Sequence, residues 1–160
     1  MNAENNSTPV TLDLDNLGIP YRTFRHPGPI HSLEQAASER GQRPEQIVRS
    51  IVFRLAKDDF IMVLVAGPSQ ISWAALRKYL NQSRLTMASA EEVFQATGYR
   101  TGAVSPFGLP VTMRILVDES VMDEDEISIG SGERGLTIIL RRQDLLRALG
   151  NVEVDAFSER

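Results

Sequence analysis

The chain has 160 residues, a formal net charge of −4 and no cysteine. This length fits a single domain, and the lack of cysteine excludes disulfides, thiolate catalysis and cysteine-bound metal. The negative net charge gives no reason to expect polyanion binding by the molecule as a whole. The arginines of the first third and the acidic run at 118–126 leave open both a local basic face and ordinary solvated charge.

The ends and apolar runs of the sequence bear on its location. The first residues, MNAENNSTPV, lack the basic start and apolar core of a secretory signal. The longest apolar run, residues 60–67, is far shorter than the roughly 20 residues of a membrane helix. Together with the absence of cysteine, these features predict a cytoplasmic protein without membrane contact.

Hydrophobic periodicity and turn residues predict short helices and strands in mixed order. Residues 1–10 are expected to form a disordered tail and residues 11–160 one domain. In chain order, the predicted elements are a helix at 12–18, a strand at 19–26, a helix at 32–41, paired strands at 47–56 and 60–67, a helix at 72–81, a strand at 84–88, a helix at 89–98, a strand at 112–120, two short strands within 126–141 and a helix at 142–150.

These elements favour a single compact mixed α/β (α+β) domain with short peripheral helices. The hairpins outnumber helical crossovers, which predicts a mostly antiparallel sheet of about seven strands. Residues 60–67 are apolar throughout, so this strand is expected at the centre of the sheet, covered on both faces.

Three familiar kinds of site find little support. His26 and His31 are the only histidines, and their spacing near Glu34 does not match a zinc site, so no metal is expected. A G-x-S-x-G elbow of a serine hydrolase is absent. The run GSGERG at 130–135 has the spacing of a dinucleotide loop, but a strand is predicted after it, so it indicates a tight turn or the glycine edge of a pocket.

Arg49 stands out within the β-rich run VRSIVFR. In an alternating strand, Ile47, Arg49, Ile51 and Phe53 share one face. A charged group on an apolar face costs free energy unless it is paired or faces a cleft. Arg49 therefore either extends its charge to solvent at a sheet edge or lines a pocket for an anion.

The stretch ATGYRTGAVSPFGLP at 96–110 contains three glycines and two prolines and almost no charge. Glycine relaxes the backbone and proline fixes it, so such a stretch can point main-chain groups at a ligand. Taken alone, it is better explained as a connection between strands.

Four segments in this order resemble the YbaK/ProX family of aminoacyl-tRNA editing domains: LGIPYRTFRHPGPIHSLEQAA, EQIVRSIVFR, TGYRTGAVSPFG, and ILVDES followed by ISIGSGERGLTIIL. The resemblance implies a central, partly barrel-like sheet and no cofactor. It implies hydrolysis of the ester that joins a wrong small amino acid, such as alanine or cysteine, to the 3′ adenosine of a tRNA. The implied partner is the aminoacyl-tRNA acceptor end, with an aminoacyl-tRNA synthetase left open as a second partner and no DNA.

The chain departs from the family at one position. The family's strand lysine matches Arg49, and its G-x-x-x-P loop matches the segment from Gly102 to Pro106. Arginine keeps the positive charge, but it is larger and does not lose its proton near neutral pH. Two functions therefore stay open: a free-standing trans-editing deacylase, or a module with lost or altered catalysis that binds the tRNA 3′ end or a small ligand.

The resemblance and the residue patterns together give a set of candidate site residues. Arg49 and Gly102 are the expected catalytic residues. The expected substrate-binding residues are Phe24, Ser50, Gly102, Ala103, Val104, Ser105, Pro106, Phe107, Gly130, Ser131 and Gly132. The aromatic members, Phe24 and Phe107, are explained at least as well by core packing.

Overall fold

The structure is a computed structural model that describes residues 6–159. Within that range it contains five α-helices: α1 (Pro9–Asn16), α2 (Leu33–Arg40), α3 (Trp73–Leu80), α4 (Ala90–Thr97) and α5 (Arg142–Leu149). The eight strands are β1 (Arg22–Arg25), β2 (Val48–Ala56), β3 (Asp59–Ala66), β4 (Thr86–Met87), β5 (Arg114–Asp118), β6 (Glu126–Gly130), β7 (Leu136–Arg141) and β8 (Glu153–Asp155). Short 3₁₀ turns lie at Pro44–Gln46 and Glu119–Asp123.

The helix boundaries follow the capping residues that the sequence indicates. The side chains of Ser32, Ser72 and Ser89 each accept a hydrogen bond from a main-chain N–H in the first turn of α2, α3 and α4. Gly41 and Gly98 end α2 and α4 in the left-handed conformation, which glycine adopts at no steric cost. Local sequence therefore suffices to place these helices.

The N-terminal boundary needs a correction. Helix α1 begins at Pro9, so Pro9 and Val10 belong to the domain rather than to the predicted tail of residues 1–10, whose first five residues lie outside the described range. Thr8 caps the helix by accepting from the Thr11 N–H at 3.2 Å. Proline is favourable at the first helical position because its missing N–H would have no partner there. Val10 is fully buried, which fixes this turn to the core.

The strands form two sheets rather than one. The larger sheet has the order β4-β2-β3-β5-β8, and the smaller has the order β1-β7-β6. The predicted hairpin of β2 and β3 is confirmed as antiparallel, and β3 is the central strand of its sheet. The pairs of β3 with β5 and of β5 with β8 are parallel, and the other four strand pairs are antiparallel. Within the described residues the sheets meet through a bridge between Ile47 and Ser128 and do not close into a barrel.

The two faces of β3 contribute to different parts of the core, which explains why this strand is apolar throughout. Met62 and Leu64 belong to the main core cluster, which also contains residues of β6 and β7 and therefore lies between the sheets. Ile61 and Val63 pack on the opposite face with Leu76 of α3. Each such fully buried side chain stabilises the fold by about 1.5–3 kcal/mol.

Asp118 joins the end of β5 to the C-terminal segment. Its buried carboxylate accepts hydrogen bonds from the N–H of Phe157 at 2.6 Å, the N–H of Ser120 at 3.1 Å and the hydroxyl of Ser158 at 2.9 Å. Burial raises the pKa of Asp118, but these hydrogen bonds to the charged form outweigh it, and the pKa lies below its usual value. The carboxylate thereby fixes the fully buried Phe157 against the second core face.

We expect the substitution Asp118→Asn to lower the free energy of unfolding by about 2 kcal/mol, because hydrogen bonds to a charged acceptor are lost. The native pKa is depressed, so the stabilisation is complete above the unfolded value of about 3.9 and is lost as pH falls through the native value. Urea unfolding from about pH 7 downwards should therefore show a steeper loss below about pH 4 for the unaltered chain than for the variant. Asp125→Asn, at an exposed carboxylate, serves as the control; equal effects of both substitutions would contradict this role.

Candidate functional site

A cavity lies beside the open edge of β2. On this side of β2, β4 pairs only with Phe53 and Arg54, and Val52 accepts from the Ala88 N–H at 3.0 Å. At the other end, Ile47 forms the bridge to the smaller sheet. Between these contacts, residues 48–51 have no strand beside them on that edge among the described elements. A cavity of about 370 Å³, called here the first cavity, lies against this edge.

The structure brings five of the sequence-predicted site residues together on the wall of the first cavity. They are Arg49 and Ser50 from β2, Gly102 and Val104 from the 98–110 loop, and Gly130 from the end of β6. These residues are up to 81 positions apart in the chain (130 − 49 = 81). The order of the segments could suggest this convergence, but only the approach of the two sheets produces it.

The other predicted residues lie behind this wall or away from it in the described structure. Ala103, Ser105, Pro106, Phe107 and Ser131 are buried, and Phe107 packs in the main core cluster. Gly132 is behind the loop, where its N–H donates to the Ala103 carbonyl at 2.9 Å. Phe24 is half-buried on β1, with its ring edge-on to His26 at a centroid distance of 5.0 Å.

Close backbone packing holds the 98–110 loop against the smaller sheet. A Cβ on Gly130 would lie 2.1 Å from the Val104 carbonyl oxygen, so any other residue there would displace the loop. On the far side, the buried Tyr99 hydroxyl donates to the Phe107 carbonyl at 2.5 Å. Burial, with a smaller contribution from Asp13, raises the pKa of Tyr99 to about 12, so this phenol stays a donor. The loop is thus a fixed wall.

Arg49 and Ser50 are consecutive residues of β2, so their side chains extend from opposite faces of the strand, and each has one unpartnered polar atom. The Arg49 guanidinium donates one hydrogen bond, from Nη2 to the Ser69 carbonyl. Its Nε and the Ser50 Oγ are buried without a hydrogen-bond partner in the described residues. Because Val52 directs its carbonyl to the open edge of β2, the alternation of an antiparallel strand also directs the main-chain groups of Ser50 there. Burial lowers the pKa of Arg49, as expected for a desolvated cation without a carboxylate beside it.

A hydrogen-bonded chain that the sequence did not indicate reaches the same cavity. Glu39 accepts from His26 Nδ1 at 2.6 Å, and Arg40 Nε donates to His26 Nε2 at 3.0 Å. Arg40 Nη1 donates to Ser128 Oγ at 2.9 Å. Arg40 and Ser128 both line the first cavity. Ser128 lies 88 positions from Arg40, so no local pattern could have connected this end of the chain of hydrogen bonds to α2.

His26 therefore has a structural assignment in place of the weak metal hypothesis. His31 is exposed, and its main-chain N–H donates to Gln35. In residues 6–159, no group of three or more His, Asp or Glu side chains is arranged to hold a metal ion. None of the helices in this range has the length and apolar character that a membrane crossing requires.

The charged side chains that line the first cavity all carry the same, positive sign among the described residues. Arg40 and Arg49 are the charged residues of its described lining, and no carboxylate accompanies them there. Most of the remaining lining is aliphatic, with Val52, Val93 and Leu136 as examples. Such a cavity suits a small apolar group that carries, or is attached to, a hydrogen-bond acceptor or an anion.

Comparison with known proteins identifies the class to which this fold and site belong. Residues 27–148 match the family model described as the aminoacyl-tRNA editing domain, and the chain belongs to this family. The chain is 30% identical over 106 residues to a proline–tRNA ligase of Kosmotoga olearia and 31% identical over 104 residues to that of Levilactobacillus brevis. The matches cover 66% and 65% of this chain but 18% of each ligase.

The fold also matches solved structures over nearly its whole length. A protein described as a candidate trans-editing enzyme for prolyl tRNA synthetase superposes with a TM-score of 0.87, covering 99% of this chain and all of that one. The sequence identity is 23%, so this likeness establishes the fold. The mixed α/β domain and the family resemblance inferred from the sequence are thereby confirmed.

Adding a methyl group at Gly130 tests the wall of the first cavity. Because that methyl group would overlap the Val104 carbonyl, we expect Gly130→Ala to lower the free energy of unfolding by about 1–3 kcal/mol. Gly28→Ala is the matched control, since its Cβ would meet no atom within 4 Å; it should change stability by less than about 0.5 kcal/mol. Urea unfolding of both variants measures the difference, and equal stabilities would show that the contact is not tight.

Proposed function

We propose that this chain is a free-standing deacylase that hydrolyses a mischarged small amino acid from tRNA in trans. The observation that carries the proposal is a small, largely apolar cavity whose described lining includes the cation Arg49 and its neighbour Ser50, each with a side-chain polar atom that has no hydrogen-bond partner among the described residues. The chain's membership in the aminoacyl-tRNA editing family supports this class of substrate. The partner is accordingly the acceptor end of a tRNA.

The chemistry required is hydrolysis of an ester. Water attacks the carbonyl carbon, the carbonyl oxygen becomes an oxyanion, and the ribose oxygen leaves with a proton. We assign stabilisation of that oxyanion to the Arg49 guanidinium and to the edge of β2 at Ser50, since hydrogen-bond donors aimed at developing charge contribute most in such reactions. Arg49 stays charged at neutral pH, so its role is electrostatic rather than that of a base.

The described lining of the first cavity contains no histidine and no carboxylate to act as a general base. Activation of the water is therefore assigned to the substrate, through the ribose 2′-hydroxyl beside the ester. An aminoacyl ester is already activated, so holding water, ester and hydroxyl in the right geometry can supply much of the rate. Gly102 and Val104 on the fixed loop form the opposite wall and limit where the ester can lie.

The size of the first cavity supports selection of a small acyl group. Its volume is about 370 Å³, and aliphatic side chains of β2, α4 and β7 surround it. A site separates substrates that differ by one methylene by only about 1–3 kcal/mol, so a second, hydrolytic sieve is useful to the cell. The related proline–tRNA ligases make tRNA for proline the first substrate to test.

A binding module without catalysis is the second candidate. It is favoured by the arginine at the position of the family lysine and by the hydrogen bond that Arg49 donates to the Ser69 carbonyl. That bond directs part of the guanidinium away from the cavity. In this case the pocket would hold the acceptor end without cleaving the ester.

A panel of mischarged tRNAs distinguishes the two functions. The purified chain is incubated with tRNA for proline carrying alanine or cysteine, and with other mischarged tRNAs, while loss of the amino acid is followed. We expect hydrolysis of at least one small aminoacyl group and none of correctly charged prolyl-tRNA. Tight tRNA binding without hydrolysis of any member would instead establish the binding module.

Substitution of Arg49 tests its role directly. Arg49→Lys keeps the charge but removes Nε and the forked geometry, so we expect kcat/KM for the best substrate to fall about tenfold or more. Arg49→Met, which also removes the charge, should reduce it further. Arg22→Lys, at an exposed ion pair, is the control and should have no effect. A marked gain of activity in Arg49→Lys would show that the natural arginine impairs catalysis.

A further inference from the structure

Arg40 is a second partly buried cation that the proposed chemistry at Arg49 does not use. Burial lowers its pKa to about 10, and the nearby charge of Glu39 only partly opposes this effect. Both Glu39 carboxylate oxygens are engaged elsewhere, with His26 Nδ1 at 2.6 Å and with Gln35 Nε2 at 2.9 Å. Arg40 thus bears the cost of desolvation without a carboxylate in contact.

The Glu39–His26 pair orients Arg40 rather than neutralising it. Arginine has no acceptor atom, so His26 Nε2 must accept the Arg40 Nε–H and the histidine proton lies on Nδ1, facing Glu39. Hydrogen bonds from His26 and Gln35 keep the pKa of Glu39 below its usual value, so it remains a carboxylate. The hydrogen bond to His26, which Glu39 fixes in turn, therefore holds the Arg40 guanidinium in one orientation.

Arg40, which lines the first cavity, keeps unused hydrogen-bond donors. Of the five N–H donors of a guanidinium, one is given to His26 and one to Ser128. The other three have no partner among the described residues. A desolvated cation with a fixed orientation and three unused donors is suited to bind an anion.

Arg40 lies where the first cavity joins a second one. The second cavity, of about 740 Å³, shares five lining residues with the first: Ile30, Arg40, Ile47, Gly102 and Gly135. Its wall combines apolar side chains such as Leu33 with a second arginine, Arg134, and its described lining contains no carboxylate. Arg134 is itself fixed by donating to the Thr101 carbonyl at 2.8 Å.

We infer that Arg40 is a ligand-binding residue that takes the phosphate of a nucleotide seated in the second cavity. Guanidinium groups bind phosphate oxygens with forked hydrogen bonds, and the apolar wall offers a surface for a base. This inference rests on the proposed function, because a substrate with its acyl group in the first cavity would place its terminal nucleotide in the second. The cation at the junction then meets the phosphate, while Arg49 serves the ester.

The test uses binding rather than catalysis, so that it is independent of deacylation. Adenosine 5′-monophosphate, adenosine and inorganic phosphate are titrated by calorimetry against the whole chain and against Arg40→Gln, Arg40→Lys and Arg147→Gln. Arg147 is an exposed arginine of α5 that pairs with Asp144. Arg147→Gln is therefore the control: it makes the same change of residue type at a position outside both cavities. Thermal unfolding verifies that each variant is folded.

We expect the unaltered chain to bind adenosine 5′-monophosphate at least about tenfold more tightly than adenosine or inorganic phosphate. Arg40→Gln should weaken this binding by about tenfold or more, and Arg40→Lys by severalfold, because one charge remains without the fork. Arg147→Gln should bind like the unaltered chain. If Arg40→Gln does not fold, the nucleotide affinity of the charge-retaining Arg40→Lys variant tests the inference instead.

The inference would be overturned by no binding of the nucleotide to the folded, unaltered chain, or by equal binding to the chain and its Arg40 variants. Stronger binding of inorganic phosphate than of the nucleotide would also overturn it, since the nucleotide assignment requires the base. Failure of the proposed function is separate, because it would appear as Arg40-dependent nucleotide binding without hydrolysis of any mischarged tRNA.

Discussion

The site depends on one structural constraint, the incomplete pairing of β2. This strand pairs with β3 along nearly its whole length, yet on its other edge its main chain pairs with the smaller sheet only at the Ile47–Ser128 bridge and with β4 only at its far end. The edge between these contacts leaves room for a cavity and exposes polar groups beside it. An unpaired edge is usually a liability that proteins cover. Here the fixed 98–110 loop and the smaller sheet shield it and form the remaining walls.

The same arrangement explains why two arginines tolerate partial burial. Arg49 and Arg40 reach the first cavity from different elements, and each donates to neutral partners: a carbonyl for Arg49, an imidazole and a hydroxyl for Arg40. Neutral partners hold a cation in place without cancelling its charge. A carboxylate in direct contact would neutralise the charge and compete with an anionic ligand. The cavity thus keeps its positive field for a substrate.

The sequence predicted much of the fold because local signals were strong. Serine caps placed the starts of α2, α3 and α4, and glycines placed the ends of α2 and α4. Two β-rich runs joined by a short turn placed the hairpin of β2 and β3. The strand β8 was missed, since three residues without apolar alternation give no periodic signal. The division into two sheets was also missed, because pairing between distant strands leaves no mark in either strand alone.

For the site, the sequence by itself determined which segments carry unusual chemistry: a cation within an apolar strand, a glycine- and proline-rich loop, and a glycine turn. It could not separate Gly130, which touches the loop carbonyl, from Ser131 and Gly132, which lie behind it. Only the tertiary structure decided that His26, Glu39 and Arg40 form one chain ending at Ser128. Hydrogen bonds between residues up to 88 positions apart depend on how the sheets pack, and no local pattern specifies that packing.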